Sequence, residues 1–467
     1  MRISFIGHAS ILVETRGVRV LSDPWWSGPC FGAQWWNYPS PHVDVLGHKV
    51  DFIYISHGHH DHLHPGTLRH LNKDAVCLVS RGIDVAPTLQ GLGFSVIEID
   101  NESVQELRPG IRCRIIETHA DDTLLVIEDG ARVCVNLNDS LHAAPAFIQD
   151  RFISHLRSLY PRIDFVFCGY GVASHFPNCY DIPGKDKEAT AAKRQAHFNR
   201  QWVRIIEGLA PTFAFPFAAD VAFLEEDLLW VNEPTANSER PTAVFKAAHP
   251  DSSTTVMDIA PGFVIDETTV VNEALRQPVA LSRLRDENAR NMERANNYGV
   301  GSEAVLDEVL DLLRANVTVC HPYLVEVARD YRFLLQFRNY LHAIAIVKKG
   351  TDIDVAPILD PKPENYDIVY VTRLHYLRWS LTTPHGHEIL FVGSGGIFRY
   401  AKASDARRNL HRELTVILTP HTACPPSRFG TGPRWLYGLK RAVKSALGWR
   451  TSDLYDLATW TEWRRTH

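Results

Sequence analysis

Residues 52 to 64 read FIYISHGHHDHLH, an apolar run that ends in a burst of histidine and aspartate. Nothing else in the chain restricts its fold and chemistry as much. Successive side chains of a strand point to opposite faces, so a strand running out through His57 and His59 puts both imidazoles on one side. A turn immediately afterwards brings Asp61 and His62 round to face them. Two imidazoles then serve one metal ion, and a carboxylate with an imidazole serves a second. Mixed nitrogen and oxygen sets of this kind suit zinc, iron or manganese better than calcium or magnesium. The competing reading is a histidine-rich surface loop, but the spacing H-x-H-x-D-H at the end of an apolar strand is too specific for that. His60 and His64 are expected in outer or exposed positions.

Short β-type runs recur from residue 2 to about 217: RISFIGHASILVET, VRVLSD, DFIYIS, AVCLVS, SVIEI, RCRIIETH, TLLVIED, RVCVNLND, DFVFCGY and TFAFPF. Helical spacing interrupts them at PGTLRHL, AFIQDRFISHLRSLY and KEATAAKRQAHFNRQWVRIIEGL. Strands in a meander with helices between them predict an α/β architecture of stacked sheets with helices on the outer faces. The polar, proline-containing stretch from about 230 to 255 reads as a long loop or boundary. Beyond it, a helical pattern at 302–316 and the runs NYLHAIAIVKK, DIVYVTRLHYLRWSL and EILFVGSGG predict a smaller α+β domain. The expected division is therefore a catalytic domain over 1–260 and a C-terminal domain over 261–467. The tail from Pro433 is rich in Trp, Lys and Arg, and reads as an amphipathic surface helix. The pair His385 and His387 precedes a glycine-rich run that reads as a turn, because no helix opens after a strand there to make a phosphate loop.

A chain of 467 residues is long enough for two such domains. Its net charge of -5 provides no basic field to draw nucleic acid, and no apolar window has the length of a membrane-spanning helix. The N-terminus alternates like a strand and lacks the pattern of a signal peptide, which places the protein in the cytoplasm. Its eight cysteines are scattered and form neither a disulfide framework nor a zinc ribbon.

The motif resembles that of the metallo-β-lactamase superfamily, whose αββα sandwich is the fold this resemblance implies. On the same resemblance, His119 after RCRIIET is a further metal ligand and Asp139 after VCVNLN is the acid bridging two metals. The pattern closes on a late histidine that this chain lacks after TFAFPF. Asp220, Glu225 and the earlier His175 are the candidate replacements, and a carboxylate there makes the second site harder. The stretch GHASILVET, LSDPWWSGPCFGAQWWNYPSP, DFIYISHGHHDH is similar to the non-Rieske part of CMP-N-acetylneuraminate hydroxylase and its bacterial relatives. The similarity runs to about residue 235. By that likeness His8 and Asp23 stand beside the ligands and orient them. Trp25, Trp26, Trp35, Trp36 and Tyr38 form an aromatic reserve able to wall a substrate cavity or to pack against the body. The C-terminal region resembles the sterol-carrier-like domains of some enzymes of this fold, which implies an apolar pocket or a contact in a homo-oligomer.

Two activities follow. The favoured one is a non-haem diiron oxygenase acting on a small organic substrate, with iron preferred over zinc or manganese. The hydroxylase family carries paired C-x-H and C-x-x-H motifs for a Rieske cluster. Here Cys320-His321 stands alone, so electrons are expected from a separate ferredoxin-type donor. The alternative is a metal-dependent hydrolase of phosphodiesters, lactones or amides, with a bound water lowered towards a pKa of ~7. In both, Asp61 and Asp139 are the catalytic carboxylates.

Overall fold

In β1 (Arg2–Gly7), β2 (Ser10–Thr15) and β3 (Val18–Ser22), alternation sends apolar side chains to two different cores. Ile3, Phe5, Ile11, Val13, Val18 and Val20 enter one, whereas Ile6, Leu12 and Leu21 enter the other. A strand buried on both faces belongs to a sandwich with helices outside it. The computed structural model describes residues 1–47, 49–118, 122–171, 175–232, 239–266, 270–271, 286, 289, 301–325, 329–338, 340–383, 386–407 and 410–419. His119, His385 and the tail from Pro433 lie outside them.

The chain divides into two units: Met1–Ala173 with Ala192–Ala289, and Ser174–Ala191 with Arg290–His467. In the first unit the strands continue with β4 (Trp35–Asn37), β5 (Phe52–Tyr54), β6 (Val76–Ser80), β7 (Ser95–Ile99), β8 (Val104–Arg108), β9 (Ile111–Glu117), β10 (Thr123–Glu128), β11 (Val133–Asn136) and β12 (Phe165–Gly169). After β13 (Tyr180–Asp181), which belongs to the second unit, come β14 (Phe213–Phe217), β15 (Val221–Phe223), β16 (Thr255–Val256), β17 (Val264–Ile265) and β18 (Val270–Val271). One sheet runs β18-β17-β1-β2-β3-β5-β6-β7 and the other β16-β14-β12-β11-β10-β9-β8. Their facing sides share a core that includes Ile11, Tyr54, Leu78, Ile115, Phe167 and Phe215.

Short helices α1 (Pro65–Leu68) and α2 (Ala86–Gly91) cover the outside of the first sheet, through Leu68 and Leu89. The outside of the second is covered by α3 (Ala146–Leu159), α4 (Lys187–Leu209) and α5 (Pro241–Ala248), through Leu156, Trp202, Ile206 and Phe245. This is the αββα sandwich. The fully buried Trp202 donates its indole N–H to the Cys168 carbonyl at 3.1 Å. Trp202→Ala should therefore cost about 3–5 kcal/mol of stability, read by urea denaturation.

The expected boundary after residue 260 cuts through this sandwich. Ile3 and Ser4 of β1 pair with Ile265 and Val264, so the sheet is incomplete without the chain beyond 260. A strand of two residues carries no readable periodicity. The stretch read as a loop over 230–255 holds α5, which Pro241 opens from its first turn.

The second unit has a six-stranded sheet, formed by β13 with β19 (Tyr331–Phe337), β20 (His342–Lys349), β21 (Asp352–Leu359), β22 (Ile368–Thr372) and β23 (Gly396–Tyr400) in the order β13-β23-β22-β19-β20-β21. Its longest helix, α6 (Glu303–Val325), buries Leu306, Val309, Leu310, Leu313 and Val317 at helical spacing. It extends the expected 302–316 helix by more than two turns. Among the described residues, no helix is long and apolar enough to cross a membrane.

Candidate metal centre

The centre forms where β5 and β11 end. Past β5, the Ser56 N–H bonds to Asp23 Oδ1 at 2.8 Å, which pins the strand exit on the loop after β3. His57 and His59 then fall on one side as alternation requires, with His57 Nε2 2.8 Å from His59 Nδ1. The chain turns at once, the amides of His62 and Leu63 both reaching back to the His59 carbonyl. That turn swings Asp61 and His62 inward, with His62 Nε2 3.2 Å from Asp61 Oδ2. Asp139 arrives from the other sheet, its Oδ2 3.8 Å from His62 Nε2. It does not cap a helix, since α3 begins only at Ala146 after Pro145.

Among the described residues, two sets of donor atoms lie close enough together to hold a cation: His57, His62 and Asp139, and His8, Asp61 and His62. The grouping differs from a simple division of the motif into His57 with His59 and Asp61 with His62, because His62 faces both sets. His64 caps α1, accepting the Thr67 N–H at Nδ1, while His60 stacks on Phe31.

Each inward imidazole is oriented from behind. His62 Nδ1 lies 3.1 Å from Asp23 Oδ2, which fixes the proton on Nδ1 and leaves the Nε2 lone pair for the centre. His57 Nδ1 lies 3.2 Å from Asp122 Oδ1 and 2.9 Å from Ser56 Oγ, with the same consequence. Asn138 Nδ2 donates to Ser56 Oγ at 2.6 Å and to Asp122 Oδ1 at 3.3 Å, tying the two sheets together beneath the site. Sequence reasoning assigned no role to Ser56, Asp122 or Asn138. Asp122 stands three residues after His119 at the head of β10, a position with no sequence signal of its own. Asp122→Asn should weaken metal binding about 10–100-fold, the usual cost of losing a partner behind a ligand, as read by calorimetric titration.

The backbone around the centre is under tension. His8, Asp23, Asn138 and Ala218 all have positive φ without being glycine, at 47°, 38°, 53° and 49°. Such conformations cluster where surrounding structure holds a functional geometry in place. The Ala218 N–H donates to the His8 carbonyl, linking the end of β14 to the β1–β2 turn.

Electrostatics make the site receptive to a cation. Asp23, Asp61, Asp122 and Asp139 gather here, and none of them pairs with lysine or arginine among the described residues. Burial by itself would lower His57, but Asp122 beside it more than offsets this and raises its pKa to about 9. His62 is likewise raised against burial by Asp61 and Asp139. His59, lowered by burial and by His57, falls to about 3. Burial works to raise Asp139, yet His62 and His57 bring it down to about 2, while Asp122 is pushed up by burial and by Asp139 in spite of His57. Asp61 Oδ1, Asp139 Oδ1 and His62 Nε2 are buried without a hydrogen-bond partner. Buried polar atoms that converge and stay unpaired are what divalent ions satisfy, so these residues fit a metal centre.

The three candidates for a late ligand have these surroundings. Asp220 accepts from the Tyr170 hydroxyl at 3.0 Å and faces Arg240 at 3.8 Å. Glu225 is buried at the head of the 3-10 turn Glu226–Val231. His175 belongs to the second unit, where its amide bonds the Phe391 carbonyl and its ring meets Tyr180. Of the tryptophans, Trp25 is fully buried in edge-to-face contact with His8, and Trp26 is half-buried against the outer core of the first sheet. Trp35 and Trp36 lie in β4, which pairs with β15, and the Trp35 ring meets Phe31 and Phe223 edge-on.

Residues 2–136 match the family described as the beta-lactamase superfamily domain. That match lies wholly within the first unit. The chain is similar to a Mycobacterium tuberculosis protein provisionally named a Rieske 2Fe-2S iron-sulfur protein, at 31% identity over 305 residues. That match covers 60% of this chain and 56% of the relative, so the chain spans little more than half of that protein's length. Cytidine monophosphate-N-acetylneuraminic acid hydroxylase of Mus musculus is 23% identical over 389 residues, 79% of this chain and 62% of the hydroxylase.

Proposed function

We propose that this chain is a dinuclear metalloenzyme that inserts oxygen into a small organic substrate. Its centre is built from His57, His59, Asp61, His62 and Asp139, with His119 as a further ligand. The observation that carries the centre is the pair of donor sets that share His62, His57 with Asp139 and His8 with Asp61, in which Asp61 Oδ1 and Asp139 Oδ1 make no hydrogen bond. The surrounding carboxylates favour a hard cation, iron first, with manganese or zinc as alternatives. Bound iron would supply Lewis acidity and redox chemistry with dioxygen.

The protein's own part is orientation and exclusion. Asp23 and Asp122 hold His62 and His57 through Nδ1, so that their other nitrogens face inward. Asp139, still part-exposed at 17%, is the carboxylate best placed to meet a substrate proton. Trp25, fully buried against His8, keeps water from that side. The oxygenase reading is supported by relatives named as a hydroxylase and as an iron-sulfur protein. Electrons would come from a separate ferredoxin-type donor. A hydrolytic reading is favoured by the superfamily match alone.

The two readings part in one experiment, in which protein loaded with iron-57 is reduced without air, mixed with dioxygen and followed by Mössbauer spectroscopy. Conversion of a ferrous pair to a coupled ferric pair supports oxygen chemistry. Iron that stays ferrous, together with steady cleavage of a phosphodiester, lactone or amide by zinc-loaded protein, leaves the hydrolase.

A further inference from the structure

We propose that His8 is itself a metal ligand, completing a second cation position with Asp61 and His62; this rests on the dinuclear reading above. The distances are the first argument. Metal–nitrogen and metal–oxygen bonds of about 2.1 Å set neighbouring ligand atoms about 3.0 Å apart in an octahedron and about 3.4 Å apart in a tetrahedron. His8 Nε2 lies 3.0 Å from Asp61 Oδ2, and His62 Nε2 lies 3.2 Å from the same oxygen. Those separations are edges of a coordination polyhedron.

The second argument is what these atoms lack. Of the three ligand atoms His62 Nε2 makes no hydrogen bond, Asp61 Oδ1 and His8 Nδ1 on the other two side chains are likewise buried without one, and all three residues are closed to solvent. His8 is committed to nothing polar except Asp61. Its backbone is held at φ 47°, and the Ala218 N–H fixes its carbonyl, so the ring is aimed rather than free. Among the described residues, His8 is the nitrogen donor that joins Asp61 and His62 in one set.

A plainer role for His8 is to donate Nε2–H to Asp61 and orient it. Cobalt(II) titration of the metal-free full chain, followed by visible absorption and by metal analysis after dialysis, separates the two roles. The variants are His8→Ala and His8→Gln, each first shown by thermal melting to be folded like the wild type. The glutamine amide can still donate to Asp61 but offers no imidazole. If His8 is a ligand, wild type binds in two phases and both variants lose the second by more than about 100-fold, beyond the usual cost of an outer partner. If His8→Gln binds the second cobalt within about threefold of wild type, His8 is only a hydrogen-bond donor and the assignment is overturned, with the dinuclear centre intact. A wild type that takes up no cobalt removes the centre and this assignment together.

Discussion

His62→Ala should empty the centre. His62 Nε2 belongs to both donor sets, 3.2 Å from Asp61 Oδ2 and 3.8 Å from Asp139 Oδ2. Losing one strong ligand removes several kcal/mol from each cation position, so affinity should fall at least about 10³-fold and turnover with it, at about 1.4 kcal/mol per factor of ten. The substitution also leaves the buried Asp23 and Asp61 and the part-buried Asp139 with one imidazole fewer. Breaking a buried charge pair costs about 3–5 kcal/mol, so the metal-free variant should melt well below the metal-free wild type. Metal analysis and calorimetry on the folded variant test the first effect, and thermal denaturation with chelator present tests the second.

The other large effect is expected at a residue with no chemistry of its own. Gly169 ends β12, and a Cβ there would lie 2.8 Å from both the Asn138 carbonyl oxygen and Asp139 Cα. Both are backbone atoms and cannot swing away. The Gly169 N–H is bonded to that same carbonyl at 2.7 Å, and Leu137 is held by the Phe167 carbonyl, so the strand ends have no slack. Gly169→Ala should destabilise the protein by about 1–3 kcal/mol and push Asp139 out of register. A misplacement of about 1 Å at a reacting group can cost about 10²-fold in rate. Urea denaturation gives the stability change and metal titration gives the displacement of Asp139. Unchanged metal affinity in a folded Gly169→Ala protein would mean that Asp139 is not a ligand.

The sandwich and the heart of the site were legible because each rests on a local pattern. Alternation in RISFIGHASILVET and its successors marks the strands, and a motif of six residues places His57, His59, Asp61 and His62 on one turn. Asp139 and Asp23 were recoverable by likeness to known relatives. What was hidden depends on long-range pairing. Asp122, Asn138 and Ser56 meet across 16 to 82 residues of sequence, and none stands in a readable motif. The same holds for Val264 and Ile265, which close a sheet begun at β1. The stretch 174–191 reads as part of the catalytic domain yet has its partners in the second unit, because Tyr180 and Asp181 pair with Phe398 and Arg399. The nearness of His8 to Asp61, 3.0 Å across 53 residues of sequence, likewise had no local signal.

The most direct test of the metal centre is the metal content of protein purified without air and without added chelator, measured by elemental analysis on gel-filtered, folded material. The prediction is about two transition-metal ions per chain, falling towards zero in His62→Ala. Folded wild-type protein that holds no stoichiometric metal, even after incubation with iron, manganese and zinc in turn, would contradict it.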